Sequence, residues 1–516
     1  MGILANLALP PYKIFFLPFF IFPILLYLII STTDASIDNK TKIRKKFFLG
    51  YFFGCGYFFS SLFWLGSTII NEAQIPLLFF PLCYLILPSI LSIYYGLAFA
   101  LTAVMGKSKF SFLIAFVINI SFFEWLRSVL FTGFPWNLIA YMAAPFPVTM
   151  QLISLIGISG LMFFSILIFS LPLLFFYKKT RTTSILFFIF LLLIWFGWGV
   201  YRLSNAPNIA DQPSNVTIRI VQPSITASLR WQANYSEYIL DKLINLSLQK
   251  SKLSPNKAPD IILWSETAIP YIVKKNDLII KRLAKILLPE QILISGALRG
   301  EKDKIFNSII AINNQANIIA YKDKSHLVPF GEYIPFSNYL KKLPIREFTT
   351  IPAGFTAGEK NTNFTINSKL SFLALICYEV IFSPTISLID PPLQAILNVS
   401  NDGWYGNTAG PHQHFHQAQL RAVSLGIPLI RAANNGISAV VDSYGRVISS
   451  LGYNEIGVID SYIPATADSI IKKFDDEKLF FFWLLLYITS YLFTIYRFNH
   501  IILNNFMDKI HHKRNN

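Results

Sequence analysis

The hydrophobic residues of this chain are concentrated in long runs near its two ends. Residues 1–201 form a series of apolar runs, residues 202–477 mix short β-rich runs with charged, Gly and Pro positions, and residues 478–496 are apolar again. A helix that crosses the hydrocarbon core of a bilayer needs about 20 mostly apolar residues. On this criterion the sequence predicts seven membrane spans, near 13–31, 47–67, 77–104, 110–131, 148–176, 183–201 and 478–496.

The segments between these predicted spans differ in charge. Lys and Arg are found in the loop 32–46, the turns 105–109 and 177–182, and the tail after residue 496. The alternate loops 68–76 and 132–147 contain neither residue type. Because Lys and Arg mark the cytoplasmic side of a membrane protein, seven spans place all the basic segments in the cytoplasm and residues 202–477 on the other side.

Composition and net charge agree with this division. Hydrophobic residues make up 53% of the chain and charged residues 14%, against about 25% charged residues in average soluble domains, which excludes an ordinary soluble or a disordered protein. The net charge of +16 alone would favour a nucleic-acid binder. However, residues 202–477 contain 27 Lys/Arg and 23 Asp/Glu, and the remainder contains 17 and 5. The excess therefore reflects membrane topology, and we expect no nucleic-acid partner.

We expect three parts from these patterns. They are an N-terminal membrane domain of about six spans over 1–201, an extracytoplasmic domain over 202–477, and a C-terminal span with a cytoplasmic basic tail over 478–516.

Cys377 is the only cysteine in the predicted extracytoplasmic domain, since Cys55 and Cys83 lie in or beside predicted spans. A lone cysteine is either an inert buried residue or a nucleophile. Cys377 directly follows the apolar run 370–376, which has the length of a strand, and precedes a predicted helix. The end of a strand exposes a side chain and a helix N-terminus favours the thiolate, so the position favours chemistry.

Two other predicted strand ends carry charged residues. Glu266 follows the apolar run 261–264, and Lys324 lies shortly after the β-rich run 317–321. Thiol chemistry on a carbonyl needs a base for the sulfur and a cation where the oxyanion develops. Each residue alone is more often a solvated surface group. Together, a carboxylate, an ammonium and a thiol at three strand ends predict a thiol-dependent active site.

These residues lie in motifs that resemble a known family. WSETAIP with Glu266, KSHLVPFGE with Lys324 and ICYE with Cys377 resemble the Glu-Lys-Cys motifs of the nitrilase superfamily. Four further segments are similar to its membrane-bound branch, the apolipoprotein N-acyltransferase family: NVSNDGWYG (398–406), GPHQHFHQAQLRA (410–422), RAANNGIS (431–438) and FFEWLRSVLFTGFPW (122–136). The resemblance extends over almost the whole chain.

The resemblance implies a fold and a reaction. The fold would be an α-helical polytopic membrane base plus an α/β extracytoplasmic domain, a nitrilase-like αββα sandwich. Cys377 would be the nucleophile, Glu266 the general base and Lys324 the oxyanion stabiliser. The enzyme would transfer an acyl chain from a glycerophospholipid, through a thioester, to the α-amino group of the S-diacylglyceryl cysteine of an apolipoprotein, the last step of lipoprotein maturation.

The same resemblance implies the setting of the enzyme. It would be a multi-pass protein of the bacterial inner membrane, with its catalytic domain in the periplasm and its C-terminus in the cytoplasm. It would need no cofactor and no metal, and we expect a monomer. The family usually has eight spans, whereas residues 1–12 are too short for the usual first helix, so we expect seven spans with the N-terminus outside.

Further residues are assigned supporting or substrate-binding roles by the resemblance. Glu332 would hold Lys324 charged, and Tyr378 and Glu379 would support the site; the alternatives are a solvated loop carboxylate and a helix cap. Trp231 would belong to a lid or contact the substrate, and packing is the alternative. Trp404 and Tyr405 would flank an acyl chain, and packing of the domain is an equally good interpretation.

Three other interpretations stay open. His412, His414 and His416 alternate, which raises the hypothesis of a metal site, although no Cys or HExxH pattern accompanies them. A membrane-tethered nitrilase-type amidase would use water in place of the amine. A transporter or receptor with an outer domain is the non-enzymatic alternative.

Overall fold

Two units with different secondary structure make up the protein. The computed structural model describes residues 1–31, 38–67, 80–208, 216–230, 232–251, 253, 257–274, 277–333, 335, 354–360, 363–368, 370–383 and 392–514. The helical unit comprises Met1–Leu62, Tyr84–Arg202 and Phe474–Asn516, and the sheet unit comprises Phe63–Cys83 and Leu203–Lys473. The sheet unit therefore also takes in a segment from the predicted membrane domain.

The α-helices are numbered in chain order. They are α1 Gly2–Asn6, α2 Pro18–Ser31, α3 Asn39–Ser61, α4 Phe80–Met105, α5 Lys109–Val129, α6 Pro147–Met150, α7 Ile153–Ser170, α8 Arg181–Ser204, α9 Ala227–Arg230, α10 Ser236–Ser247, α11 Leu278–Ala284, α12 Gly410–Leu425 and α13 Asp476–Arg514. Short 3₁₀ turns add Leu130–Thr132, Ile139–Ala143, Leu171–Phe176, Ala233–Tyr235, Cys377–Ile381, Asp402–Tyr405 and Ile471–Lys473.

Five helical stretches within the described residues are long and apolar enough to cross a membrane. They are Tyr84–Met105, Lys109–Thr132, Ile153–Phe176, Arg181–Ser204 and Asp476–His500, and each overlaps one of the seven predicted spans. The other two predicted spans fall on α2, which is only 14 residues long, and on α3. The count of seven spans stays a prediction.

The predicted boundary of the loop before α3 was wrong. The helix begins at Asn39, eight residues before the predicted span at 47, because the Asp38 side chain caps it by accepting the Thr41 N–H at 3.0 Å. The basic residues from Lys40 onward therefore lie on the first turns of a helix. They are still concentrated at one end of that helix, which is the feature that the charge argument uses.

Two charged residues inside a predicted span are fully paired. Arg127 contacts the Glu124 carboxylate at 2.9 and 3.2 Å, and both side chains are buried. Tyr95 and the Ile139 N–H donate to the same carboxylate, each at 2.9 Å. An unpaired charge in the bilayer is costly, so this network explains how α5 carries two charges.

The sheet unit contains thirteen described strands in two sheets. They are β1 Thr217–Gln222, β2 Ile261–Trp264, β3 Ile269–Val273, β4 Ile292–Glu301, β5 Lys304–Ile312, β6 Ile318–Asp323, β7 Asn363–Asn367, β8 Leu370–Ile376, β9 Ala395–Ser400, β10 Leu429–Ala433, β11 Ser438–Val441, β12 Val447–Leu451 and β13 Gly457–Tyr462. The first sheet has the order β13-β1-β2-β4-β5-β6, with β3 paired to β4, and the second has the order β12-β11-β10-β9-β8-β7.

The two sheets pack face to face around an apolar core. Leu263 and Ile294 of the first sheet lie in one buried cluster with Ala374 and Leu397 of the second. The opposite face of the first sheet is covered by α10 and α11, and Arg431 on the opposite face of β10 contacts His414 of α12 at 3.0 Å. Helices outside two central sheets give four layers, so the predicted αββα fold is confirmed.

Candidate active site

Polar residues follow the carboxyl ends of strands in both sheets. In the first sheet, β1, β2 and β4 are parallel, and β6 runs in the same direction because it pairs antiparallel with β5, which pairs antiparallel with β4. Glu266 follows β2 and Lys324 follows β6. In the second sheet, β8, β9 and β10 are parallel, and Cys377, Asn401 and Asn434 follow them. Parallel strands present their carboxyl ends at one edge of a sheet, which gathers these side chains.

Lys324 is a buried ammonium held between two carboxylates. Its Nζ lies 2.9 Å from Glu332 Oε1 and 3.4 Å from Glu266 Oε1, and its side chain is 1% exposed. Burial opposes the charge, but the carboxylates of Glu332 and Glu266 outweigh it and raise the pKa of Lys324. Asn307 donates from Nδ2 to the same two carboxylates, at 2.9 Å to Glu266 and 3.0 Å to Glu332. The ammonium is therefore fixed in place, and the two carboxylates favour its charged form.

Glu266 is oriented by contacts to its carboxylate and to its backbone carbonyl, and one of them comes from the end of β9 in the second sheet. Its second oxygen, Oε2, accepts the N–H of Asn401 at 2.9 Å. Arg230 Nη2 donates to the carbonyl oxygens of Glu266 and Thr267. With one oxygen on Lys324 and Asn307 and the other on Asn401, the carboxylate has a single orientation.

Cys377 occupies a constrained backbone position. It is the first residue of the 3₁₀ turn Cys377–Ile381 and has a φ of 49°, in the left-handed region that non-glycine residues rarely adopt. The residue is 6% exposed. Burial and then the charge of Glu266 raise the pKa of the Cys377 thiol to about 12, and Lys324 offsets only part of this.

The expectation that a helix N-terminus favours the thiolate was wrong. The element that begins at Cys377 is a five-residue 3₁₀ turn, which is too short for an appreciable dipole, and burial together with the charge of Glu266 penalises the charged sulfur. The resting residue is a thiol, so a reaction at this sulfur needs a neighbouring base.

Glu379 both caps the turn and holds the strand end of Lys324. Its Oε2 accepts the Ile376 N–H at 2.8 Å and the Lys322 ammonium at 2.6 Å, and its Oε1 accepts from the N–H and Oγ of Ser325, each at 2.8 Å. Burial would raise the pKa of Glu379, but Lys322 outweighs it and the pKa is lowered. This carboxylate connects the turn of Cys377 with the chain around Lys324.

We expect removal of one partner of the Lys322–Glu379 pair to lower the stability of the protein substantially. Replacing Glu379 by Gln leaves a buried ammonium without its counter-charge, which destabilises by about 3–5 kcal/mol in comparable pairs. Thermal unfolding of the purified protein in detergent measures this loss. Since the pKa of Glu379 is lowered on folding, the pair contributes fully above the unfolded value and loses its contribution as pH falls through the folded value.

The double variant Lys322→Met/Glu379→Gln is the matched control for this prediction. It keeps the same amide at position 379 and removes the buried ammonium, so it should unfold at a higher temperature than Glu379→Gln alone. A double variant that is less stable than Glu379→Gln would contradict the assignment of the cost to an unpaired charge.

The aromatic residues singled out by the sequence have different positions. Trp404 is half-buried and Tyr405 is buried, both in the 3₁₀ turn Asp402–Tyr405. The Tyr405 ring lies edge-on to Trp64 at 4.8 Å and to His414 at 5.5 Å between ring centroids. Contact with an acyl chain stays a prediction for both residues. Trp231 lies outside the described residues. Tyr378 is buried next to Cys377, and its ring contacts Phe382.

The three alternating histidines do not converge on one point. His412 is exposed, whereas His414 and His416 are buried along α12. No group of three or more His, Cys, Asp or Glu side chains arranged like metal ligands is found in the part of the chain that the structure describes. His414 instead contacts Asp402, Arg431 and the carbonyl oxygen of Cys377.

Sequence reasoning missed several of these contacts. Asn307 lies on β5 in no motif, so nothing in the sequence pointed to it. Asp402 and Arg431 did lie in quoted motifs, and a buried Asp beside an Arg and a His is a signal that those motifs contained.

The fold and the site define the chain as a protein of the carbon–nitrogen hydrolase class. A family model described as "Carbon-nitrogen hydrolase" matches residues 217–472, and one described as "Apolipoprotein N-acyltransferase N-terminal domain" matches residues 1–171. The chain is 40% identical over 476 residues to the apolipoprotein N-acyltransferase of Brucella melitensis, covering 90% of this chain and 89% of the relative. It is 38% identical over 511 residues to that of Rhizobium rhizogenes, covering 97% and 95%. The chain therefore belongs to the apolipoprotein N-acyltransferase family and is an acyltransferase.

A solved structure shows a more distant similarity. A CN-hydrolase superfamily protein from Xanthomonas campestris is similar with a TM-score of 0.35 and 15% identity, covering 48% of this chain and 91% of that chain.

Proposed function

We propose that this protein transfers an acyl chain from a glycerophospholipid to the α-amino group of the N-terminal S-diacylglyceryl cysteine of an apolipoprotein. Cys377 is the nucleophile, Glu266 the general base and Lys324 the oxyanion stabiliser. The observation that carries this assignment is the Lys324 ammonium, which lies 2.9 Å from Glu332 and 3.4 Å from Glu266 and interacts with the buried thiol of Cys377. The family membership supports the choice of substrates.

The first half-reaction forms a thioester. Glu266 accepts the proton of Cys377 Sγ as the sulfur attacks the ester carbonyl of the phospholipid, and the Lys324 ammonium stabilises the oxyanion. The protonated Glu266 then gives that proton to the departing oxygen of the lysophospholipid as the C–O bond breaks. A thiol with a pKa of about 12 is unreactive without this base.

The second half-reaction returns the enzyme to its starting state. The neutral amine of the apolipoprotein attacks the thioester carbonyl, and Glu266 takes a proton from the nitrogen. The C–S bond breaks, Glu266 returns its proton to sulfur, and an amide is released. Splitting the transfer at a covalent intermediate lets two large lipid substrates use the site in turn.

The protein is a membrane protein, and we propose its topology from the charge of its segments. The basic turns and tail lie in the cytoplasm of a bacterial inner membrane, and the sheet unit lies in the periplasm. The parts 1–201, 202–477 and 478–516 then act as membrane domain, catalytic domain, and C-terminal span with basic tail. Both proposed substrates are anchored in the bilayer by their acyl chains, so a catalytic domain attached to the membrane can reach them. The protein works as a monomer in this proposal.

Intact-protein mass spectrometry tests the two half-reactions. Incubation of the purified enzyme with phosphatidylethanolamine alone should add the mass of one acyl chain, and peptide mapping should locate it on Cys377. Addition of a synthetic S-diacylglyceryl-cysteine peptide should remove that mass and produce an N-acylated peptide.

The same experiment separates the alternatives. Release of free fatty acid, or of ammonia from an added amide, with no acylated peptide would support the nitrilase-type amidase and reject the transferase. Absence of any acyl adduct and of any product would favour a non-enzymatic role. The same S-diacylglyceryl-cysteine peptide with its α-amino group blocked is the matched control for the acceptor, because it cannot attack the thioester.

A further inference from the structure

A buried polar network lies directly behind Cys377 and is not used by the steps above. Asp402, His414 and Arg431 each have side chains that are 0% exposed. His414 Nε2 lies 3.2 Å from the carbonyl oxygen of Cys377, and its Nδ1 lies 3.0 Å from Arg431 Nη2. Arg431 Nη2 also donates to both oxygens of Asp402, at 2.8 and 3.0 Å. The network therefore ends on the backbone of the proposed nucleophile.

The protonation of His414 follows from its neighbours. A carbonyl oxygen only accepts hydrogen bonds, so the contact with Cys377 requires the proton on Nε2. Burial, followed by the charge of Arg431, lowers the pKa of His414, and Asp402 opposes that shift. Nδ1 lies 3.0 Å from both Arg431 Nη2 and Asp402 Oδ1. These two contacts hold the ring in the orientation that points Nε2–H at the Cys377 carbonyl.

Other groups fix the network itself. Asp402 accepts the Ser400 hydroxyl at 2.7 Å, and Arg431 donates to the side chain of Asn398 and to the Ile437 carbonyl. The Tyr405 ring lies edge-on to the imidazole. Strands β9 and β10, the 3₁₀ turn Asp402–Tyr405, helix α12 and the segment before β11 supply these residues. The imidazole is therefore held by the folded domain and does not depend on the turn Cys377–Ile381 that it contacts.

The backbone conformation of Cys377 has to be stabilised by contacts from surrounding residues. Its φ of 49° is unfavourable for a residue with a side chain, and such a conformation persists only where the surroundings impose it. The Ile376 N–H is held by Glu379 on one side. On the other side, a hydrogen bond to the Cys377 carbonyl fixes the plane of the Cys377–Tyr378 peptide, because the peptide group is rigid.

We propose that His414 is a positioning residue that holds the Cys377 backbone, and with it the thiol, in the geometry that lets Glu266 and Lys324 act on it. The proposal rests on the proposed function for its activity readout. Misplacing a reacting group by about 1 Å costs on the order of 100-fold in rate, so loss of this single hydrogen bond should affect acylation of Cys377.

The variants His414→Gln and His414→Asn test the proposal. The amide nitrogen of Gln reaches as far as imidazole Nε2, whereas that of Asn reaches only the position of Nδ1. We expect His414→Gln to keep acyl-enzyme formation within about threefold of the unchanged enzyme, and His414→Asn to slow it about 10- to 100-fold with an unchanged KM for phospholipid. His412→Asn, at an exposed position of α12, is the matched control.

Alkylation of Cys377 by iodoacetamide, read at the level of its peptide, gives a second measurement that needs no lipid substrate. The rate of alkylation in His414→Gln should match that of the unchanged enzyme. The rate in His414→Asn should differ from both, because the Cys377 backbone is no longer held. If the unchanged enzyme transfers no acyl chain but this contrast persists, the proposed function fails and the positioning role stands. Equal behaviour of the two variants in both measurements overturns the proposal. So does unfolding of either variant at the assay temperature, since His414 would then serve the fold.

Discussion

Replacing Cys377 by Ala should abolish acyl transfer, with a loss of about 10⁴-fold or more. Removal of a covalent nucleophile eliminates the intermediate itself, and the remaining groups offer the amine no activated acyl donor. The rate is measured as N-acylation of the diacylglyceryl peptide in a vesicle or detergent assay. The acyl adduct of the intact protein should disappear at the same time.

Cys55→Ala is the matched control for this substitution. Cys55 is a free thiol of α3 in the helical unit, so its loss removes the same chemical group without touching the sheet unit. It should leave the rate unchanged. An acyl adduct that survives in Cys377→Ala, or an equal loss in Cys55→Ala, would remove the thiol of Cys377 from the mechanism.

The sequence predicted the chemistry at strand ends because that information is local. An apolar run of strand length followed by a polar residue can be read from a few neighbouring positions, as at β2 and β8. The fold then gathers Glu266, Lys324 and Cys377, because β2, β6 and β8 end at corresponding edges of their sheets. Without the resemblance to a family, the sequence alone contained no measure of the distance between these three residues.

The remainder of the site depends on contacts between distant positions. Asn307 bridges Glu266 and Glu332 from the middle of β5, and an Asn on a strand is not distinctive in a sequence. Arg431 meets Asp402 and His414 across 29 and 17 positions of the chain. Such networks follow from the order of strands in a sheet, which local patterns do not determine.

The reactivity of Cys377 shows the same limit. A cysteine before a predicted helix indicated an easily ionised thiol, whereas burial and the charge of Glu266 raise its pKa to about 12. Burial of one residue depends on both sheets and on the turn Asp402–Tyr405, and only the folded structure contains it. A thiol with a raised pKa depends more strongly on the general base that the resemblance assigns to Glu266.

Replacing Glu266 by Gln should slow acyl-enzyme formation by about 10²- to 10⁴-fold near neutral pH, the usual contribution of a general base. The amide oxygen can still accept the Asn401 N–H, and Lys324 keeps Glu332 as its counter-charge. The new NH2 group then faces Asn307 Nδ2, which donates to Glu266 in the unchanged enzyme, so the stability of the variant has to be measured with its rate. The loss then reports the missing proton acceptor. Thermal unfolding of the variant in detergent checks that the domain is intact.

The pH dependence of Glu266→Gln distinguishes a base from a structural carboxylate. Without a base, only the fraction of Cys377 already ionised can attack, and this fraction rises about tenfold per pH unit below the thiol pKa. The negative charge of Glu266 contributes to raising that pKa to about 12, so the substitution lowers it and increases the ionised fraction at each pH, and the rise continues up to the lowered pKa. The variant should therefore gain rate steeply between about pH 7 and about pH 9, while the unchanged enzyme does not.

Glu301→Gln provides the matched control, since that carboxylate is 56% exposed at the end of β4 and pairs with Arg299. Its rate should equal that of the unchanged enzyme at each pH. A Glu266→Gln variant that is slow but gains nothing with pH would assign Glu266 to holding Lys324 in place, and another group would then have to take the proton from Cys377. A steep gain that brings the variant toward the unchanged rate identifies the ionisation of sulfur as the step that Glu266 performs.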